Sequence, residues 1–241
     1  MKILKSWLND WIDIETISTD DISEALESLG FEIESRTDKT PNYKNITVGK
    51  VLEIYEHPNA DKVRVTKVDV GSKTYEIVCG AWNFDVGAVV PVALPKSEIK
   101  DGFKIDKRDI RGVESNGMIC SASELDLWDD HAGILKLSDE TKLGSDFSKI
   151  YNSTDTLWEI GVTPNRGDCM SHLGIARELS NYFNLTLKEN SQTLKSNIES
   201  LIKVNSGKIK ACNSYQSIEI ENFTLSDSNL NIRYRLSSIG V

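Results

Sequence analysis

Short runs of alternating apolar and polar residues fill the middle of the chain, and this period of two constrains the fold more than any other feature. Residues 63–70 alternate almost without interruption, and residues 74–79 alternate again after a turn at Gly71 and Ser72. Alternation gives a strand one core-facing side and one solvent-facing side, so two such strands around a short turn predict a hairpin. Further short strands are predicted at 46–54, 89–93, 107–111, 117–119 and 134–137. Many short strands at this spacing predict a small β-barrel.

The segments on either side of this region change to a helical period. Apolar residues at 7, 8, 11 and 12 share one face of a short helix, and a second helix is predicted from an N-cap at Thr19 to a stop at Gly30. Strands are predicted at 31–35 and 157–160. After a turn at 163–168, in which Asn165 and Asp168 are predicted to cap the next element, a helix is predicted over about 171–183. From about 200 the alternation returns, at 218–221 and 232–235, which predicts a further β-rich unit.

The charge of the chain changes where the periodicity changes. The 241 residues include 28 lysines and arginines against 37 aspartates and glutamates, a net charge of −9. Residues 1–41 carry a net charge of −6, residues 42–150 carry −3 and residues 151–241 carry zero. We therefore place boundaries at about 41 and 150. The predicted fold class is α+β with several domains: a five-stranded OB-type β-barrel at 42–150, mixed helical and extended segments around it, and the start of a third, β-rich domain.

The composition argues against several classes of protein. Because the chain is acidic overall, any contact with nucleic acid must come from a local basic patch. No run of 18 apolar residues occurs and the first residues lack the long apolar region of a signal peptide, so no membrane contact is expected. The four cysteines lie 41, 49 and 43 residues apart. That spacing predicts neither a zinc knuckle nor a disulfide framework, and it suits the cytoplasm.

Three clusters in the middle segment suit contact with RNA. Residues 57–64 hold a Pro-Asn turn followed by two basic residues, and residues 96–111 hold six basic and four acidic residues. Residues 113–124 hold an Asn-Gly turn before Ser121, which is predicted to cap a short helix whose free N–H groups could meet a phosphate. Each cluster also has a plainer interpretation, as an ordinary turn or as a solvated face in which acids balance bases.

Several motifs resemble a known family. Residues 57–62 (HPNADK), 77–81 (IVCGA) and 111–125 (RGVESNGMICSASEL) closely resemble the tRNA-binding OB domain that occurs in several tRNA-linked proteins. Outside that region, residues 6–8 (SWL), 29–34 (LGFEIE) and 162–179 (VTPNRGDCMSHLGIAREL) resemble the beta subunit of bacterial phenylalanyl-tRNA synthetase. The matches occur in order along nearly all of residues 1–190.

This resemblance implies an architecture and a function. The OB domain at 42–150 would be inserted into a small split α/β domain made of 1–40 plus 151–195, and residues 200–241 would be the truncated start of an editing domain of the B3/B4 type. The chain would contribute tRNA binding and scaffolding to the ATP-dependent attachment of phenylalanine to its tRNA, with no activity by itself. The aminoacylation site would lie in the alpha subunit of an α2β2 enzyme that uses ATP and Mg²⁺. This portion is not expected to bind a cofactor.

No catalytic residue and no metal ligand is expected in this chain. Cys120 with His131 lacks the local signature of a thiol nucleophile and its base, and the carboxylates at 126, 129 and 130 beside His131 lack a regular ligand spacing. Two alternatives stay open: a stand-alone tRNA-binding module without ligase activity, and a barrel that mainly packs against other subunits. The candidate tRNA-binding residues are His57, Asn59, Lys62, Arg64, Lys96, Lys107, Arg108, Arg111, Ser115, Asn116, Met118 and Ser121.

Overall fold

Strands and helices in the described part of the chain form a mixed α and β structure dominated by antiparallel sheets. The structure is a computed structural model, and it describes residues 1–151, 154–188, 219–225 and 227–241. The strands are β1 (Lys2–Leu4), β2 (Glu32–Lys39), β3 (Lys44–His57), β4 (Ala60–Asp69), β5 (Thr74–Cys79), β6 (Val89–Ile99), β7 (Phe103–Lys104), β8 (Arg108–Ile110), β9 (Val113–Ser115), β10 (Met118–Ile119) and β11 (Asp155–Gly161). The helices are α1 (Lys5–Leu8), α2 (Thr19–Ser28), α3 (Phe147–Ile150), α4 (His172–Tyr182) and α5 (Leu230–Ile239).

The first sheet brings together segments that lie far apart in the sequence. Its order is β1-β11-β2, with both pairs antiparallel. The strands predicted at 31–35 and 157–160 pair with each other, with Ser35 opposite Glu159 and Ile33 opposite Ile160. One cluster of buried apolar side chains covers this sheet and combines residues before 32 with residues after 157, including Trp158. Apolar residues from before and after residues 42–150 therefore share one core.

The second sheet contains the predicted alternating strands. Its order is β10-β6-β3-β4-β5, with β7 paired to β6, and β8 and β9 form a separate hairpin. The long strand β3 pairs with both β4 and β6. Two further clusters of buried apolar side chains lie on this sheet, one with Val51, Val68 and Ile77 at its centre and the other around Phe147 and Leu125.

Gly49 in β3 allows a close approach of neighbouring strands. A Cβ atom added to Gly49 would lie 2.6 Å from Cγ1 of Val68 and 2.9 Å from Cγ2 of Val92. The register between β3 and β4 shifts further on, between Val51 and Glu53. Gly49 therefore makes room for core side chains of the neighbouring strands, and the irregularity of the β3–β4 ladder lies a few residues later.

The outer strands of the second sheet meet through two buried contacts. The backbone N–H of Asn116 donates to the carbonyl of Glu76 at 2.8 Å, and the backbone N–H of Val78 donates to Oγ of Ser115 at 3.0 Å. Ser115 is 3% exposed and its hydroxyl donates in turn to the carbonyl of Gly117 at 2.9 Å. Since strand ends otherwise leave unpaired backbone groups, these bonds hold β5 against the β9–β10 segment.

The N-terminal caps of α2 and α4 are side chains other than those predicted from the sequence. Helix α2 is capped by Ser18, whose Oγ accepts from the backbone N–H of Asp21 at 3.0 Å, so the cap predicted at Thr19 is wrong by one residue. The chain leaves α2 through Gly30 with φ of +88°. Helix α4 is capped by Ser171, which accepts from the N–H of Gly174 at 3.0 Å. The caps predicted at Asn165 and Asp168 are therefore wrong.

Three other elements differ from the sequence-based expectation. Residues 134–137 form no strand, and only a single bridge joins Leu137 to Val89. The short helix predicted after Ser121 is a run of turns. Residues 232–235, predicted to alternate as a strand, lie inside helix α5, whose buried side chains are Tyr234 and Ser238, four residues apart. The predictions for residues 200–218 lie outside the described residues.

Helix α5 touches both sheets through its charged and aromatic side chains. Arg235 pairs with Asp10 at 2.6 Å, and the Arg233 guanidinium lies 3.3 Å from Asp130. Tyr234 contacts the ring of Tyr151 edge-on at 5.7 Å. Among the described residues, no helix combines the length and the apolar character needed to cross a bilayer.

Candidate nucleic-acid interface

The turn between β3 and β4 is fixed to the β8–β9 hairpin by two of the candidate residues. His57 is 6% exposed, and its Nδ1 accepts from the backbone N–H of Asn59 at 3.1 Å. Nε2 therefore carries the ring proton and donates to the carbonyl of Ile110 at 2.8 Å. The Asn59 amide donates to the carbonyl of Arg111 at 2.9 Å. These two residues place the hairpin and its basic side chains beside the turn.

Five basic candidate residues are exposed to solvent: Lys62, Lys96, Lys107, Arg108 and Arg111. Lys107 has an ion pair with Glu114 at 3.2 Å in which both side chains are more than half exposed. Such exposed pairs contribute about 1 kcal/mol or less, so a phosphate can compete for the lysine. The Arg108 guanidinium lies 5.2 Å from the ring centroid of Phe103. The hairpin thus carries three adjacent exposed cations.

Arg64 is half-buried and serves a different purpose. One Nη atom donates to the carbonyls of Ala81 at 2.9 Å and Phe84 at 3.2 Å. Its guanidinium carbon lies 4.7 Å from the ring centroid of Trp82 and 4.7 Å from that of Phe84. Arginine stacks readily on aromatic faces because its charge is delocalised and weakly hydrated. Arg64 therefore holds the loop that follows β5.

A cleft of about 720 Å³ opens beside that loop. Its walls are residues 78–83, Met118, Ile119, Ser121, Glu124 and residues 131–134. Of the predicted site residues only Met118 and Ser121 line it. Trp82 stands in the cleft with 62% of its surface exposed. Met118 and Ser121 thus belong to this cleft, and the cations at 107, 108 and 111 belong to the hairpin. Ser115 and Asn116 belong to the contact between β5 and the β9–β10 segment.

Ser121 does not stand at the start of a helix, although the sequence predicted a phosphate contact there on that basis. Its Oγ accepts from the backbone N–H of Glu124 at 3.2 Å, and the Glu124 carboxylate accepts from the backbone N–H of Ser121 at 2.6 Å. This is the reciprocal arrangement of a capping box, closed around a turn instead of a helix. The backbone N–H of Ser121 therefore faces a carboxylate, and the backbone N–H of Glu124 faces a hydroxyl.

The cleft contains residues that the motif search did not select. Asn83 donates to the carbonyl of Ile134 at 2.9 Å and accepts from its N–H at 3.0 Å, so this amide fixes the opposite wall. His131 lies 3.0 Å from an Asp129 oxygen. Trp82 and His131 could have been found from one signal, which is an aromatic or imidazole side chain within a polar loop next to a strand end.

Cys120 does not fit a thiol nucleophile, and a group of metal-type side chains elsewhere in the described chain is already paired with an arginine. Cys120 is fully buried, and burial raises the pKa of its thiol far above the usual value, so it does not form a nucleophilic thiolate. One group of metal-type ligands, Asp168, Cys169 and Glu178, occurs among the described residues. The Arg166 guanidinium already occupies it, at 3.1 Å from Glu178 and 3.2 Å from Asp168. Two carboxylates paired with an arginine do not fit a Mg²⁺ ion.

The chain is similar in sequence to a tRNA-binding family and to subunits of an aminoacyl-tRNA synthetase. Residues 46–146 match the family described as "Putative tRNA binding domain". The chain is 45% identical over 185 residues to the phenylalanine–tRNA ligase beta subunit of Burkholderia lata, which covers 74% of this chain and 23% of that protein. It is 34% identical over 244 residues to the subunit of the same name from Syntrophus aciditrophicus, which covers 100% of this chain and 30% of that protein. The resemblance indicated by the sequence motifs is confirmed.

A solved structure gives a weaker likeness. The C-terminal domain of Plasmodium vivax p43 is 26% identical and matches 45% of this chain and 61% of that chain with a TM-score of 0.32, a value too low to establish a shared fold. The chain spans between 23% and 30% of the length of the two bacterial relatives named above.

Proposed function

The chain belongs to the family of phenylalanine–tRNA ligase beta subunits, and we propose that it is a tRNA-contacting and scaffolding portion of such a subunit. The observation that carries the proposal is the combination of a tRNA-binding family match at 46–146 with similarity that extends through the flanking segments. A stand-alone tRNA-binding module would need only the first of these. The flanking similarity therefore favours the synthetase subunit.

The proposed domain arrangement is an OB-type barrel at 42–150 inserted into a split α/β domain of 1–40 plus 151–195. Two contacts support it. Lys39 at the end of β2 lies directly opposite Asp155 at the start of β11, so the chain leaves and re-enters the first sheet at one place. The first core also combines residues from both flanks. For residues 200–241 the proposal that they belong to an editing domain rests on the family alone, since the described part holds helix α5 rather than strands.

The proposed RNA contact is made by the exposed cations around the β8–β9 hairpin. Phosphate contacts come mainly from lysine and arginine, and each one makes affinity depend on salt. The net charge of −3 over residues 42–150 argues that this contact is weak and local.

The proposed division of labour places the chemistry outside this chain. In the complete enzyme, an alpha subunit would carry the aminoacylation site with ATP and Mg²⁺, within an α2β2 assembly in the cytoplasm. The chain incubated with ATP, Mg²⁺, phenylalanine and tRNA is then expected to give no charged tRNA. Charging that survives rigorous removal of contaminating synthetase would contradict this division.

Salt-dependent tRNA binding tests the proposed function. Removing three cations with Lys107→Ala, Arg108→Ala and Arg111→Ala should lower the slope of log affinity against log salt by about 2 to 3, because each lost phosphate contact contributes about 0.7 to 0.9. The matched control is Lys136→Ala, Lys142→Ala and Lys149→Ala, which removes the same charge from exposed positions outside the candidate set.

A different outcome would support the second candidate function, in which the barrel mainly packs against other subunits. That function is favoured by the acidic balance of residues 42–150 and by the Lys107–Glu114 pair. If both triple variants change the slope equally, or neither does, the hairpin is a solvated face and not an RNA contact.

A further inference from the structure

Trp82 combines high exposure with a fixed orientation. It has 62% of its surface exposed and lines the cleft beside β5. An indole ring buries a large apolar area when it packs, so leaving it exposed forgoes a favourable contribution to folding. The Trp82 ring does not fold down onto the surface, because the Arg64 guanidinium lies against it.

Arg64 holds the ring from one side. Its guanidinium carbon lies 4.7 Å from the ring centroids of both Trp82 and Phe84, which places the cation between the two rings. Its bonds to the carbonyls of Ala81 and Phe84 fix it to the same loop, and its buried Nε has no hydrogen-bond partner in the described part of the chain. The stacking, rather than a full set of hydrogen bonds, therefore positions this group. The cation thus lies over the Trp82 ring, while 62% of the residue's surface remains exposed.

The chemistry of the cleft selects an uncharged partner. The volume of about 720 Å³ lies within the usual range for small-ligand sites, roughly 300 to 1,000 Å³. Apolar side chains such as Val78 and Met118 line it together with the carboxylate of Glu124. A carboxylate repels a phosphate but accepts hydrogen bonds from the amino and imino groups of a base.

We propose that Trp82 stacks on an unpaired nucleobase of RNA, which enters the cleft while its phosphates remain outside. Base stacking on aromatic side chains is the usual way in which proteins hold single-stranded RNA, and a cation next to the ring strengthens it. The inference rests on the proposed function, because it names the part of a tRNA that this domain holds. It assigns to the cleft a role separate from that of the basic hairpin.

The test uses the full chain and a hexaribonucleotide that contains 2-aminopurine, whose fluorescence is quenched when the base stacks. Trp82→Ala should weaken binding of the hexamer roughly tenfold and remove the quenching. Trp82→Phe should keep most of both, since phenylalanine still stacks. Tyr182→Ala, which removes an aromatic side chain that is 45% exposed on α4, is the matched control and should change neither.

Salt titration separates this inference from the proposed function. Trp82→Ala removes no charge, so affinity should fall without a change in the salt slope. If the wild-type chain binds tRNA but the hexamer is bound without quenching or is not bound at all, the stacking inference fails and the proposed function stands. Equal affinity of Trp82→Ala and the wild type would overturn the inference as well. If neither RNA binds at low salt, both proposals fail.

Discussion

His172 shows how a single buried side chain can make the stability of this protein depend on pH. Its Nε2 accepts from the backbone N–H of Leu4 at 3.1 Å, and its ring stacks on Trp7 with centroids 4.1 Å apart. Burial lowers the pKa of His172 to about 4, with a smaller contribution from the charge of Arg235, which is opposed by Asp10. A protonated Nε2 could no longer accept the bond from Leu4, so the folded state requires the neutral ring.

The sign of the pH effect follows from that lowered pKa. Between pH 6.5 and 4 the unfolded chain binds a proton at this residue that the folded chain does not, so stability falls as the pH falls through this window. Between pH 7.5 and 5 the loss should be about 2 kcal/mol. His172→Gln, which keeps an acceptor but does not titrate, should lose less stability than the wild type over the same window in urea unfolding. His131→Gln, at an exposed histidine, is the control, and an equal pH dependence in wild type and His172→Gln would contradict the assignment.

Helices and strands were predicted correctly where the periodicity of apolar residues agreed with a turn or cap signal. The strands at 74–79 and 157–160 and the helix after Ser171 combine clear periodicity with a turn or a cap, and the structure has them with small changes of bounds. Helix α5 was missed because four alternating residues imitate a strand, whereas the cap at Asn229, the left-handed Gly240 and the buried pair Tyr234 and Ser238 act over a longer range. Residues 134–137 have apolar side chains to bury, but only Leu137 is joined to a strand, by a single bridge to Val89, so no ladder forms.

The N-terminus of α2 provides a prediction at the scale of one element. Ser18→Ala removes the acceptor for the N–H of Asp21, together with the bond from the Ser18 hydroxyl to the Asp21 carboxylate at 2.7 Å. The expected cost is about 1 kcal/mol. Amide hydrogen exchange within α2 should become correspondingly faster, by a factor of about five. Ser28→Ala at the exposed end of the same helix is the matched control, and equal exchange in the two variants would show that Ser18 does not cap the helix.

For the whole molecule, the sequence motifs predicted which basic side chains are exposed, but not which contacts the other candidate residues make. Exposed lysines and arginines around the hairpin could be predicted from the local excess of basic residues. Arg64 binds the loop after β5, and His57 and Asn59 fix a turn. These roles depend on contacts between residues that lie 17 to 53 positions apart in the sequence. Such long-range partners are set by the packing of strands, which a local pattern does not contain.

The proposed insertion of residues 42–150 into a split domain gives the prediction at this largest scale. Because Lys39 and Asp155 lie opposite each other in adjacent strands, their Cα atoms are within reach of a short Gly/Ser linker. Deleting residues 42–150 and joining the ends should leave the first core folded, with faster amide exchange in α5, since Tyr234 loses the apolar cluster around Phe147 and Leu125. Residues 42–150 should also fold alone.

Deleting residues 1–41 should have the opposite effect on the first core. The sheet would lose β1 and β2 from both sides of β11, and Trp158, which is now fully buried, would be exposed together with the apolar face of α4. A segment of about 40 residues without disulfides rarely forms a core of its own, so residues 154–188 should lose amide protection and the chain should aggregate while residues 42–150 stay folded. Heat unfolding and amide exchange on all three shortened chains measure this. Continued protection of residues 154–188 in the absence of residues 1–41 would mean that the chain consists of consecutive units and that no domain is split.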